Sequence, residues 1–260
     1  MPPSVRPLNG ALATWLQVLF VVVAVCSLAS MVAAFAARGA FETFMDPRGS
    51  FDDLEAWDDA DTLFGLVNGM GSLVALALLV VMIVWSWKAY RAGDSLSPGA
   101  RKWRIGWTIG AWFIPCASII IPKLVLDETE KIASAPRMHG TAAGWKGTPT
   151  SIVGWAWWVL FVVSNFFVMR GNFVRIDVNP ANALDQNEIT SYYTVYAVGS
   201  VIAAISALCG VAYIRRVSSR LSATSLLASG AGLGVYGADG VYGADGADGA
   251  TASPTVMGGP

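Results

Sequence analysis

Residues 103–134 read WRIGWTIGAWFIPCASIIIPKLVLDETEKIAS, and whether the apolar part of this stretch, 105–121, crosses a membrane decides the fold. This part has 17 residues, carries Pro115 inside and is closed by Pro122. A hydrocarbon core about 30 Å thick needs about 20 residues rising 1.5 Å each. Proline removes a backbone donor and clashes with the turn before it. The segment therefore cannot be one regular helix of full length. It crosses as a kinked helix, or it lies at the interface or re-enters.

Four other stretches have the length to cross. They give spans at about 11–37, 63–87, 151–169 and 190–214, and none holds Asp, Glu, Lys, Arg or His in its interior. Basic residues decide how 105–121 is counted, because they collect on the cytoplasmic side. With four crossings, Arg6, nine basic residues from Lys88 to Lys146, and Arg215, Arg216 and Arg220 share one side. Only Arg38, Arg48, Arg170 and Arg175 fall on the other. With five crossings the division is 8 and 9, which expresses no preference. Four crossings are expected, with both termini cytoplasmic and the proline-broken segment beside the cytoplasmic face. Trp15, Trp85, Trp87 and Tyr213 then fall near the inner boundary and Tyr192, Tyr193 and Tyr196 near the outer one, the depth that amphipathic rings prefer.

Composition agrees with this frame. Of 260 residues, 55% are hydrophobic and only 13% charged, against about 25% charged in soluble domains. A net charge of −1 gives no basic footprint for nucleic acid. Cys26, Cys116 and Cys209 are odd in number, scattered through apolar runs and without a C-x-x-C pair, so they read as small packing residues. The first apolar run is too long for the 7–15 residues of a signal-peptide core and is expected to remain as a span.

The segment 51–61 carries six carboxylates in ten residues, with Phe51, Leu54 and Trp57 at every third position. That spacing predicts a short amphipathic helix on the membrane surface. Its carboxylates do not follow the alternate spacing and central glycine of an EF-hand loop, so a solvated acidic face is expected. Residues 140–146 break the phosphate-loop pattern at Trp145, and His139 has no nucleophile nearby in sequence. Small residues at Gly199, Ala203 and Ala207, at Gly65 and Gly69, and at Ala29, Ser30, Ala33 and Ala34 are compatible with close helix packing or a homo-oligomer. From Gly230 a glycine-rich hexamer repeats, and residues 223–260 read as a low-complexity cytoplasmic tail without a core of its own.

In the quoted stretch, Gly106-Trp107, Gly110, Trp112, Phe113 and Pro115 are followed by Pro122, Glu128 and Ser134. This spacing resembles the actinobacterial membrane family known as domain of unknown function 4328. Trp157-Trp158 and Arg215-Arg216 also look familial, whereas Lys88-Ala89-Tyr90-Arg91 lacks an asparagine usual there. The resemblance implies a polytopic bacterial cell-membrane protein and no particular activity. Physically, the motif suggests a helix over 105–114 breaking at Pro115, with Gly106 and Gly110 allowing close approach to the bundle. Glu128 would sit near the cytoplasmic surface, within reach of Lys131 at i+3. Trp107, Gly110, Trp112, Phe113, Pro115, Pro122 and Glu128 are the candidates for a lipid or small-ligand contact.

The expected architecture is an all-α integral membrane protein: a four-helix bundle over 1–222 plus the interfacial or re-entrant segment. The expected role is a non-enzymatic scaffold or accessory protein that engages lipids or membrane partners, including further copies of itself. No catalytic, metal or cofactor residues are expected. A channel or transporter subunit is the alternative. It would need Gln17, Asn68 or Asn165 to form a polar path, with Asn68 on an axis shared between copies.

Overall fold

The computed structural model of the chain describes residues 10–96, 101–135, 137–138, 141–142, 144–174 and 183–228. Four long helices dominate it: α1 (Gly10–Phe44), α2 (Phe51–Leu96), α5 (Ile152–Val174) and α6 (Ala183–Ala228). Each contains a stretch long and apolar enough to cross a membrane. Between α2 and α5 lie the single-turn α3 (Trp107–Gly110) and the 18-residue α4 (Ala117–Ser134). Two-residue strands at Arg137–Met138 and Thr141–Ala142 pair antiparallel, and a 3-10 turn follows at Trp145–Gly147. His139 and most of the repetitive tail lie outside the described residues, and α6 itself continues to Ala228.

The helices stand in the order α2, α1, α6, α5. Half of the apolar window of α6 is buried, against 6% for α2, so α6 is the centre of the bundle and α2 its edge. Large apolar side chains such as Leu66, Leu73, Val32 and Phe166 face outward, as lipid-facing surfaces require. Packing is concentrated at two ends. At the end where α4 sits, Leu16, Phe20, Trp85, Trp157, Tyr213 and Val217 form one buried cluster. At the opposite end, Ala34, Ala37, Phe41, Phe64, Tyr193 and Ala197 form another.

The acidic segment 51–61 is not a separate surface helix; it forms the first three turns of α2. A reciprocal cap starts it. Asp53 accepts hydrogen bonds from the backbone N–H and hydroxyl of Ser50, both at 2.7 Å, and Ser50 Oγ accepts from the Asp53 N–H at 3.3 Å. This is the capping box that satisfies the free donors of a helix start. Ser50→Ala is expected to cost about 1 kcal/mol, read as a lowered unfolding midpoint in detergent. Tertiary contacts hold the extension upright. Trp57 stacks on Phe44, its indole N–H donates to Tyr193 Oη at 3.2 Å, and Tyr193 donates to Asp61 at 2.8 Å. Tyr192, Tyr193 and Tyr196 meet Phe64 edge to face. All three are buried, at the end of the bundle opposite α4.

Small residues matter where the helices meet. A Cβ on Gly210 of α6 would stand 2.6 Å from the Phe20 ring, and one on Gly154 of α5 would stand 2.8 Å from Tyr213. One on Gly199 would meet Phe167 Cβ at 2.8 Å. Gly65 and Gly69 face open space and take no part in packing within the chain.

Candidate functional site

The order of the helices leaves a space between the two outer ones. A cavity of about 500 Å³ lies between α2 and α5, floored by α1 and α6 and open on one side. Its size falls in the range of about 300–1,000 Å³ of small-molecule sites. Toward α4 it is walled by Phe20, Met82, Trp112, Trp157, Trp158 and Phe161. Toward the other end, about 12 Å along α5 at 1.5 Å per residue, it is lined by Ser30, Asn68, Ser72, Ser164, Asn165 and Ser200. None of the lining residues is charged.

The polar end is already partly committed. Asn68 and Asn165 each donate one amide N–H to a carbonyl of their own helix, Phe64 O at 2.8 Å and Phe161 O at 2.7 Å. Ser72 and Ser164 likewise donate to Asn68 O and Phe161 O. A carbonyl can only accept, so these bonds fix which amide atom is the nitrogen. Each asparagine keeps its carbonyl oxygen and a second N–H, and each of these serines keeps its acceptor lone pairs. Asn68 thus lines a space inside its own chain.

The aromatic end is built on α4. Pro122 is not the close of an apolar segment but lies inside α4, where its missing N–H leaves that turn one donor short. The Trp158 indole N–H donates to Ile119 O in the same turn, at 2.8 Å. Trp158 also meets Trp112 edge-on at 6.0 Å and Trp157 at 5.7 Å, and Trp157 stacks on Tyr213 at 5.2 Å. These contacts seat the motif segment across the end of the groove.

Beneath the aromatic wall, α4 buries a polar row. Lys123 is 2% exposed, pairs with Asp127 and lies 4.6 Å above the Trp155 ring. Burial raises the Asp127 carboxyl above its ordinary 3.8, and Lys123 pulls it back. Folding therefore favours protonated Asp127. Its share of stability is full below pH 3.8 and falls as pH rises through its raised value in the folded state. Glu130 accepts from the Ser151 N–H at 3.1 Å and stands 3.7 Å from Arg216 Nε, while Arg220 donates to Ser134. The basic end of α6 is thus the partner of α4. Arg101 lays its guanidinium 3.6 Å over the Tyr90 ring, with Asp94 at 4.0 Å. Burial lowers its proton affinity, and Tyr90, Glu128 and Asp94 oppose that.

The candidate residues separate. Trp112 lines the groove. Glu128 is buried, and it accepts from the Lys102 backbone N–H at 2.8 Å instead of pairing with Lys131. Phe113 and Pro115 are exposed, and Trp107 meets Trp103 edge-on. Gly106 and Gly110 face open space, so neither serves a close approach. Residues 105–121 form a helical turn, a run of turns and the start of α4 rather than a helix breaking at Pro115. Pro122 belongs to the anchor of α4. Sequence reasoning missed Lys123 and Asp127, although their i,i+4 spacing is a readable signal. Among the described residues no three of His, Cys, Asp and Glu converge to hold a metal ion.

Residues 48–219 match the family described as Domain of unknown function (DUF4328), and the chain belongs to that family. No curated protein and no solved structure matches the chain.

Proposed function

We propose that this member of the family is a non-enzymatic accessory protein of the bacterial cell membrane that engages lipid from the bilayer, and through it membrane partners. The observation that supports this reading is the side-open groove between α2 and α5, with Trp112 of the family motif in its aromatic wall. A groove that opens between spanning helices meets acyl chains first, and its aromatic wall suits them. Trp112 is the contact that the motif contributes; Glu128 and Pro122 hold the segment that carries it. Both termini are cytoplasmic in this reading, with α4 on the cytoplasmic side.

Native mass spectrometry after release in mild detergent tests the engagement. A retained lipid adduct is expected for the wild type and its loss for Ala203→Trp, which fills the groove from α6; an adduct equally retained by the variant would place the lipid elsewhere. Membrane sidedness has its own test in a background lacking the three cysteines. Glu55→Cys, on the exposed start of α2, is expected to react with an impermeant thiol reagent on intact cells. Lys146→Cys is expected to react only after permeabilisation, and the reverse pattern would invert the topology.

A further inference from the structure

We infer that the groove selects a neutral lipid whose head carries a hydroxyl or amide, seated with that head toward Asn68 and Asn165 and its chain against Trp112 and Trp158. This deepens the lipid-engagement reading and rests on it. The two ends of the cavity differ in chemistry: aromatic side chains predominate at the α4 end, where the Ser206 hydroxyl is spent on Trp157 O, and amides and hydroxyls, with Tyr196 beside them, at the other. The amides and hydroxyls are neutral, and no lining residue bears a charge. A phosphate or carboxylate head placed there would be buried without a counter-ion, which costs far more than burying a hydrogen-bonded neutral group. A purely apolar chain would fit the aromatic end but leave the asparagine oxygens facing hydrocarbon. A hydroxyl both donates and accepts, as an amide does. Either can donate to one of the Asn68 and Asn165 carbonyl oxygens and accept from a remaining N–H, since one N–H of each is held by its own helix.

The depth of the polar end agrees. Asn68 lies five residues inside the apolar part of α2 that begins at about 63, and Asn165 lies four residues before the end of the Ile152–Met169 span. At 1.5 Å per residue both are about 6–8 Å below the edge of the hydrocarbon. A head group there sits just under the membrane surface opposite α4, with its chain directed toward α4.

The test uses the full chain in nanodiscs with two photoreactive probes of equal length, a long-chain alcohol and the matching fatty acid, at a pH where the acid is ionised. The alcohol is expected to label peptides of α5 and the Trp112 segment about tenfold more than the acid, the difference of a single unpaired polar burial. Asn68→Leu with Asn165→Leu is expected to remove that preference while leaving chain labelling. Should the double variant fail to elute as a single species, Asn165→Leu alone is read for the same loss. Equal labelling of the groove by both probes overturns the neutral-head inference and leaves lipid engagement standing. Labelling by neither, with cross-links to a second copy or to another protein in the groove, overturns lipid engagement itself.

Discussion

Lys123→Met lowers the unfolding free energy by about 3–5 kcal/mol, the usual consequence of leaving one member of a buried ion pair without its partner. Lys123 is 2% exposed, and among the described residues its carboxylate partner is Asp127, itself 8% exposed, one turn along α4. Removing the ammonium takes from the buried Asp127 carboxyl the one cation paired with it among the described residues. Replacing both, as Lys123→Met with Asp127→Leu, is expected to restore most of the loss, because two apolar side chains of similar volume need no hydration. The measurement is thermal unfolding in detergent, followed by the near-ultraviolet signal of the stacked Trp157–Tyr213 pair. A single variant as stable as the wild type would show that the ammonium does no structural work in α4. Asp127→Asn adds a second readout: the decline of stability with rising pH that belongs to Asp127 disappears.

Gly210→Ala destabilises the bundle, whereas Gly65→Ala stabilises it, and the contrast in sign is the prediction. Alanine gains about 1 kcal/mol over glycine in any helix interior. At Gly65 nothing lies within 4 Å of the added methyl, so that gain stands alone. At Gly210 the methyl would lie 2.6–2.9 Å from three atoms of the Phe20 ring, which is 4% exposed and edge-on to Trp157. Overpacking of that kind costs about 1–3 kcal/mol, and it outweighs the helical gain. Parallel melting curves decide it; the same sign for both variants would remove Phe20 from the α1–α6 contact.

The four spans are readable without any structure because the thickness of hydrocarbon is a demand on length that few sequences meet by accident. The continuity of α2 is not. Asp52, Asp53, Glu55, Asp58 and Asp59 look like a loop or a surface helix to a local reading. What joins them to the span is Ser50 folding back on Asp53, and Trp57 and Asp61 meeting Tyr193 from a helix more than a hundred residues away. The capping pair was legible as S-x-x-D; the tyrosine was not. At the motif the spacing identifies the segment, but its residues do different jobs. Trp112 enters the groove, Pro122 takes the helical donor from Ser118 O, Trp158 ties the adjacent Ile119 carbonyl to α5, and Glu128 holds the chain at Lys102. The groove itself leaves no local trace, because it depends on which helices stand next to each other.

The two packed ends of the bundle give α2 the mechanics of a beam clamped at both supports. Phe64 and Trp57 fix it at one end, Met82, Trp85 and Ala89 at the other, and between them few of its side chains are buried. Near midspan Gly69 and Gly71 each favour the helix less than alanine would. The edge of the groove that α2 forms is thus held by its two ends and by α1, which an added Cβ at Gly71 would meet at Cys26 Cβ, 3.7 Å away.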